Sequence, residues 1–245
     1  MKILGVIPAR YASSRFPGKA LADVKGKTMV RRVYEQARQS KLLNNIVVAT
    51  DDQRIFNEVL SFEGQVMMTQ EDHKNGTERC AEVIRRFQGY DYVINIQGDE
   101  PFIHPDQIDT VAQLLDGHVE IATLVKPIKD IDELDDPGEM KVVFNNQNEA
   151  IYFSRACIPY LRDVDSTSRL KHYCYHKHIG IYAYRSDVLM KIVKLPPGNL
   201  EMAESLEQLR WIENGFKINL GFTDIESHMI DTPQDLTKLL KTTPR

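Results

Sequence analysis

Short apolar runs alternate with amphipathic stretches through the first hundred residues, and that alternation leaves few folds open. Residues 3–8, 46–50, 65–69 and 92–97 read as strands, and residues 27–40, 52–62 and 76–87 read as helices. The strand runs are rich in Ile and Val and show little polar alternation, as expected when both faces are covered. Strand–helix alternation of this kind predicts an α/β fold on a doubly wound, mostly parallel sheet. Right-handed crossovers then bring the loops that follow the strands to one edge, where ligands bind.

After about residue 120 the pattern changes. Strands are expected at 121–125, 141–145, 151–154 and 178–184, with longer and less regular connections. Residues 163–175 are polar, lack a clear period and read as a mobile loop. A helix is expected over 201–214, ended by Gly215, then a strand over 217–223. A closing helix follows over 232–240, with Pro233 in its first turn. No low-complexity linker or repeat divides the chain, which reads as one domain over 1–245 with an inserted lobe for substrate and subunit contact.

The formal net charge of -4 gives no basic excess of the kind a duplex-binding protein shows. Phosphates on a substrate must therefore be met by locally placed cations. The N-terminus runs straight into a strand, so a secretory signal is not expected, and no apolar run reaches the roughly 18–20 residues of a membrane-spanning helix. Cys80, Cys157 and Cys174 form neither a disulfide framework nor a CxxC pair. Three reduced thiols suit a cytoplasmic protein.

Each sharp motif of the first half lies just after an expected strand. Residues 7–19 read IPARYASSRFPGK, with Arg10, Arg15 and Lys19, the small residues Ala12, Ser13 and Ser14, and a Pro17–Gly18 turn. Small residues let backbone N–H groups approach a ligand while the cations supply charge for phosphate oxygens. Neither the Walker spacing nor GxGxxG is present. Residues 95–101, NIQGDEP, end a strand in a turn carrying Asp99. Asp99 suits either a magnesium ligand or a turn residue bonding its own backbone. Asp231, in MIDTP, reads on local sequence as a cap of the last helix. Thr77, in GTER at 76–79, reads as the cap of its helix. In the second half, Arg155 is the type of residue that binds a carboxylate bidentately, and His178 and Tyr182 can donate to hydroxyls. Glu207 and Arg210 fit a solvated i,i+3 pair equally well. His172, His176 and His178 have no Cys or carboxylate at ligand spacing, so zinc is not expected.

Together these strings closely resemble the 3-deoxy-manno-octulosonate (Kdo) cytidylyltransferase family. The resemblance rests on IPARYASSRFPGK, VATDD at 48–52, HKNGTER at 73–79 and INIQGDEP at 94–101. It continues in order through YFSR at 152–155, KHIGIYAYR at 177–185, ESLEQLR at 204–210 and DTP at 231–233. Ala20 departs from the family's usual Pro, and 163–175 is more variable than its flanks. The resemblance implies a nucleotidyltransferase fold, with 1–120 as the nucleotide-binding half and 121–245 as the sugar-acid and dimer half. It implies transfer of CMP from CTP to Kdo with magnesium, by a homodimer. Arg10, Ser13 and Lys19 are then expected on the CTP phosphates, and Thr77, Arg79 and Gln97 near the cytosine and ribose. Asp99 and Asp231 are expected as magnesium ligands, and Arg155, His178, Tyr182, Glu207 and Gln208 facing the sugar acid. The rivals are an enzyme for 8-amino-Kdo or sialic acid on the same fold, and a non-catalytic nucleotide-binding subunit.

Overall fold

The computed structural model describes residues 1–13, 15–226 and 229–242. The first half runs β1 (Ile3–Ala9), α1 (Met29–Ala37), β2 (Asn45–Thr50), α2 (Gln53–Ser61), β3 (Val66–Met68), α3 (Gly76–Arg86), β4 (Tyr92–Asn95) and α4 (Pro105–Gln113). Then come β5 (Ile121–Pro127), α5 (Ile131–Asp135), β6 (Lys141–Phe144), β7 (Ala150–Ser154), α6 (Arg169–His172) and β8 (His176–Arg185). The chain closes with α7 (Ser186–Ile192), α8 (Asn199–Glu204), α9 (Glu207–Glu213), β9 (Ile218–Phe222) and α10 (Pro233–Thr242).

Among the described residues the strands form one sheet in the order β3-β2-β1-β4-β8-β5-β9, with β6 and β7 off that path. β1 pairs in parallel with β2 and β4, and β2 with β3. β8 runs antiparallel to both β4 and β5, and β9 is parallel to β5. β8 is thus the one reversed strand of the main path. The expected mostly parallel, doubly wound sheet is what forms, with β8 wedged into its centre.

Both faces of the sheet are covered. Ile3 and Ile7 of β1 pack with Val30 and Val33 of α1, Ile55 of α2 and Ile108 of α4. Leu4 and Val6 point the other way, onto Ala81 and Val83 of α3, Leu189 of α7 and Trp211 of α9. Burying each large apolar side chain contributes about 1.5–3 kcal/mol, so the strand ends sit on a stiff platform.

β8 sets the crevice. Its last residues pair with β4 and its start pairs with β6 at Lys177. Between those neighbours, the Gly180 carbonyl accepts from Gln97 Nε2 at 2.8 Å. Ile128, Leu134 and Tyr175 form a small separate core, with Ile131, Cys157, Leu161 and Leu170 packed against it, while Val142 and Phe153 of the β6–β7 hairpin join the main core.

Several local expectations need correction. The helix expected over 201–214 is two, α8 and α9, broken at Ser205, whose φ of 54° is left-handed. Arg210 returns across the break to bond both carboxylate oxygens of Glu201, so it is not the partner of Glu207. The 163–175 segment has regular structure, a 3-10 turn at Ser166–Ser168 leading into α6, and Arg169 holds both oxygens of Asp135 at 2.7 Å. No helix of the described residues is long and apolar enough to cross a membrane.

Candidate active site

The loop after β1 folds around one carbonyl: Ser13 N and Gly18 N both donate to Tyr11 O at 2.9 Å. Gly18, at φ 72°, then turns the chain into a short 3-10 helix that begins with Lys19. Gly98, after β4, lies against β1 so closely that a Cβ there would stand 2.4 Å from Pro8 O. That approach sets Asp99 beside Lys19. The backbone bond from Ile230 N to Asp99 O, 2.9 Å, draws the turn before α10 to the same place.

The three side chains meet. Lys19 Nζ lies 2.7 Å from Asp99 Oδ2 and 3.3 Å from Asp231 Oδ1. Arg15 reaches the other oxygen of Asp231 at 3.1 Å. Asp99 Oδ1 is buried and has no hydrogen-bond partner among the described residues. The cap expected of Asp231 is made by its neighbours. Thr232 Oγ1 accepts from Asp235 N at 3.2 Å, and Asp235 Oδ2 accepts from Thr232 N at 2.8 Å and from Asp231 N at 3.1 Å. The Asp231 carboxylate is therefore left to the two cations.

These groups line a crevice of about 350 Å³ together with Arg10, Ser13, Arg79 and Gln97. Ser14 lies outside the described residues. Arg79 is buried, with one guanidinium nitrogen 2.7 Å from Asp51 and the other on Thr69 and the Gln70 carbonyl. The cap of α3 is Asn75, which accepts from Glu78 N at 2.9 Å, and not Thr77. Thr77, the second residue of α3, is buried within its first turn. The Thr77 hydroxyl and Asn75 Nδ2 each donate to Glu207 at 2.9 Å, which joins the start of α3 to the start of α9.

The other second-half residues take three positions. His178 is buried beside a second cleft of about 690 Å³, which shares Asp231 with the first. Thr123 Oγ1 donates to a carbonyl of β8, Ile181 O lying at 2.6 Å, so it accepts from His178 Nε2 at 2.9 Å. Nδ1 is then an acceptor, buried without a partner among the described residues, and burial pushes the imidazole pKa down to about 3. Tyr182 stacks edge-on to Trp211 at 5.2 Å with its hydroxyl buried and unpartnered among them, as is Gln208 Nε2. His178 lines the second cleft, whereas Tyr182, Glu207, Gln208 and Thr77 line neither cleft. Arg155 stands apart from both clefts, its guanidinium on the carbonyls of Glu204 and Pro137 at 2.8 and 3.0 Å.

Sequence reasoning passed over Asn75 and counted Arg15 only among the phosphate-loop cations, whereas Arg15 sits on Asp231. Asn75 carried a signal: Asn followed three residues later by Glu is a capping signature.

Burial raises Glu207 from about 4.5 to about 7, against the Thr77 hydrogen bond, which lowers it. The native state then holds this proton more tightly than the unfolded chain does. Its contribution to stability declines as pH rises from about 4.5 through about 7. Glu207→Gln removes the ionisation. The unfolding free energy of the wild type minus that of the variant should fall between pH 5 and pH 8 in urea titrations, and a pH-independent difference would contradict this assignment.

A loop of cations after the first strand of a doubly wound sheet, facing two convergent carboxylates, marks the nucleotidyltransferase class. The family model described as cytidylyltransferase matches residues 4–218. A 3-deoxy-manno-octulosonate cytidylyltransferase of Parabacteroides distasonis is 53% identical over 98% of this chain and 97% of its own. One from Cytophaga hutchinsonii is 50% identical over 99% and 98%. The solved structure of CMP:2-keto-3-deoxy-manno-octonic acid synthetase complexed with CTP superposes with a TM-score of 0.91 at 42% identity, covering 98% of both chains. The chain belongs to the 3-deoxy-manno-octulosonate cytidylyltransferase family, and it is an enzyme.

Proposed function

We propose that this protein transfers CMP from CTP to the 2-hydroxyl of Kdo, releasing pyrophosphate, with magnesium as cofactor. The observation that carries the proposal is the Lys19 ammonium held between Asp99 and Asp231 at the crevice. Oxygens of two carboxylates from distant parts of the chain already converge on one cation there. The names of the relatives supply the nucleotide and the sugar acid.

The residues fit magnesium. It takes hard oxygen ligands, commonly one or two carboxylates completed by substrate phosphates, and Asp99 keeps one buried oxygen without a partner among the described residues. Asp99 and Asp231 would hold the ion, which supplies positive charge that favours ionisation of the attacking hydroxyl and offsets charge on the phosphates.

The chain's own groups do the rest. Arg10 and Ser13 bind the triphosphate from the loop wall. The sugar hydroxyl attacks the α-phosphorus as the bond to the β-phosphate oxygen breaks. Lys19 meets the charge that gathers on the departing pyrophosphate. Arg79 and Gln97 bound the nucleoside side of the crevice, and Thr77 is assigned there on the family resemblance. Gln97 Nε2 is committed to the Gly180 carbonyl, so its oxygen is the atom left to accept. On the sugar side, neutral His178 offers Nδ1 as an acceptor. Tyr182, Gln208 and Glu207 are assigned to the sugar acid on the family resemblance, since none of them lines either cleft. Arg155 braces the Glu204 and Pro137 carbonyls.

We place the reaction in the cytoplasm, supplying activated Kdo for lipopolysaccharide or capsule. We propose a homodimer joined through the lobe, where Ile151 and Tyr160 are exposed apolar side chains that a second copy would cover. Sedimentation should give twice the chain mass of 28.2 kDa. A monomer mass at assay concentration would contradict the dimer.

Pyrophosphate release with CTP and magnesium should be fastest with Kdo in a panel that includes 8-amino-Kdo and sialic acid. Faster release with either rival acid would reassign the substrate. No release with any of them would favour a non-catalytic nucleotide-binding role.

A further inference from the structure

Two cations of the phosphate loop are already paired with carboxylates. Lys19 Nζ sits on Asp99 and Asp231, and Arg15 sits on the remaining oxygen of Asp231. The Lys19 side chain is 15% exposed and Asp99 is 19% exposed, so their contact is largely sheltered from water. The partners lie 80 and 212 residues from Lys19, so the contact is a product of the fold and not of neighbouring sequence.

We propose that Lys19 is an internal counter-ion for the two carboxylates, and that nucleotide binding assembles the divalent-cation site by drawing Lys19 away. The inference rests on the reading of Asp99 and Asp231 as metal ligands. A divalent cation and an ammonium cannot share the same carboxylate oxygens at contact distance without strong like-charge repulsion. With Lys19 and Arg15 in place the two carboxylates are already neutralised, which weakens any hold on a further cation. A nucleoside triphosphate brings several negative charges to the same loop and offers Lys19 another partner. The move needs only the flexible four-carbon stem of the lysine, because the backbone at Lys19 is fixed by Gly18 and the Tyr11 carbonyl. Competition for one pair of carboxylates then couples the two ligands positively: nucleotide tightens the metal, and by linkage metal tightens the nucleotide by the same factor.

The test is Mn²⁺ binding to the full chain without nucleotide, followed by the electron paramagnetic resonance signal of the free ion. Lys19→Met should bind Mn²⁺ at least about tenfold more tightly than the wild type, within the usual range for coupled sites. Lys19→Arg, which keeps the charge, should show no such gain. Asp99→Asn in the Lys19→Met background should remove it. Circular dichroism confirms that each variant is folded, and Lys19→Gln replaces Lys19→Met if the latter is not. An unchanged or weaker affinity in the neutral variants, or a gain that survives Asp99→Asn, overturns the counter-ion role. In that event, Asp99→Asn in the otherwise wild-type chain separates the two readings. If it still lowers Mn²⁺ binding in the presence of CTP, the metal ligands stand and only the counter-ion role fails. If it changes nothing with or without CTP, the ligand assignment itself fails.

Discussion

Asp231→Asn is expected to lower CMP transfer by at least about a hundredfold, the scale of losing one fixed charge contact at a reaction centre. Asn keeps the size of the side chain and most of its hydrogen bonding, and removes only the charge. Thermal stability should change little, because Asp231 is 31% exposed and partly exposed ion pairs contribute about 1 kcal/mol or less. A helix cap cannot account for such a loss, since Thr232 and Asp235 cap α10 between them. Asp99→Asn should be as damaging, and the double variant should be no worse than the poorer single one. Either loss disables the same assembly, so the effects are non-additive. Steady-state rates of the two single variants and the double variant check this. Near-normal turnover in Asp231→Asn, or multiplicative losses in the double variant, would remove the two-carboxylate centre.

Gly98→Ala is expected to cost about 3 kcal/mol of stability, the upper end of the overpacking range. The added methyl would meet Pro8 O at 2.4 Å, and that oxygen belongs to the backbone of a central strand that cannot yield cheaply. For a chain of this size the cost corresponds to a fall in melting temperature of roughly 6–12 °C. Activity should fall as well, because relieving the clash moves the Asp99 turn away from Lys19. Gly180→Ala is the matched control. Its new methyl would come no nearer than 3.9 Å to any side chain, so the melting temperature should barely move. Equal melting temperatures for Gly98→Ala and the wild type would show that the two strand ends are not held as described.

The sequence made the first half legible because its strands are buried on both faces and read as unbroken Val and Ile runs. β1 and β4 show why: nearly all their residues are buried. The reversal of β8 could not be read, since a nearly continuous run of buried residues looks the same in either chain direction. Only the pairing with β4 and β5, far apart in sequence, fixes it. The break at Ser205 was hidden for a related reason. The apolar periodicity runs through it, and a serine gives no local sign of a left-handed backbone. α4 carried a readable signal, Pro105 in its first turn and a capping box with His104, that the strand-led reading passed over.

At the site, residue types were easier to read than duties. Lys19 and Asp99 stood out beside their strands, but on local sequence Asp231 looked like a cap, and only the family resemblance made it a metal ligand. The structure shows its partners, the distant Lys19 and Arg15. Thr77 looked like a cap for the same lack of a long-range view, since its hydroxyl is committed to Glu207, 130 residues away.

Joining of CMP to Kdo at this crevice is read out by the product itself. Purified protein, CTP, magnesium and Kdo should give a single new phosphodiester signal in the phosphorus NMR spectrum, with the mass of CMP-Kdo, and one equivalent of pyrophosphate. CTP left intact under these conditions, or CMP recovered free and not joined to the sugar acid, would contradict the account.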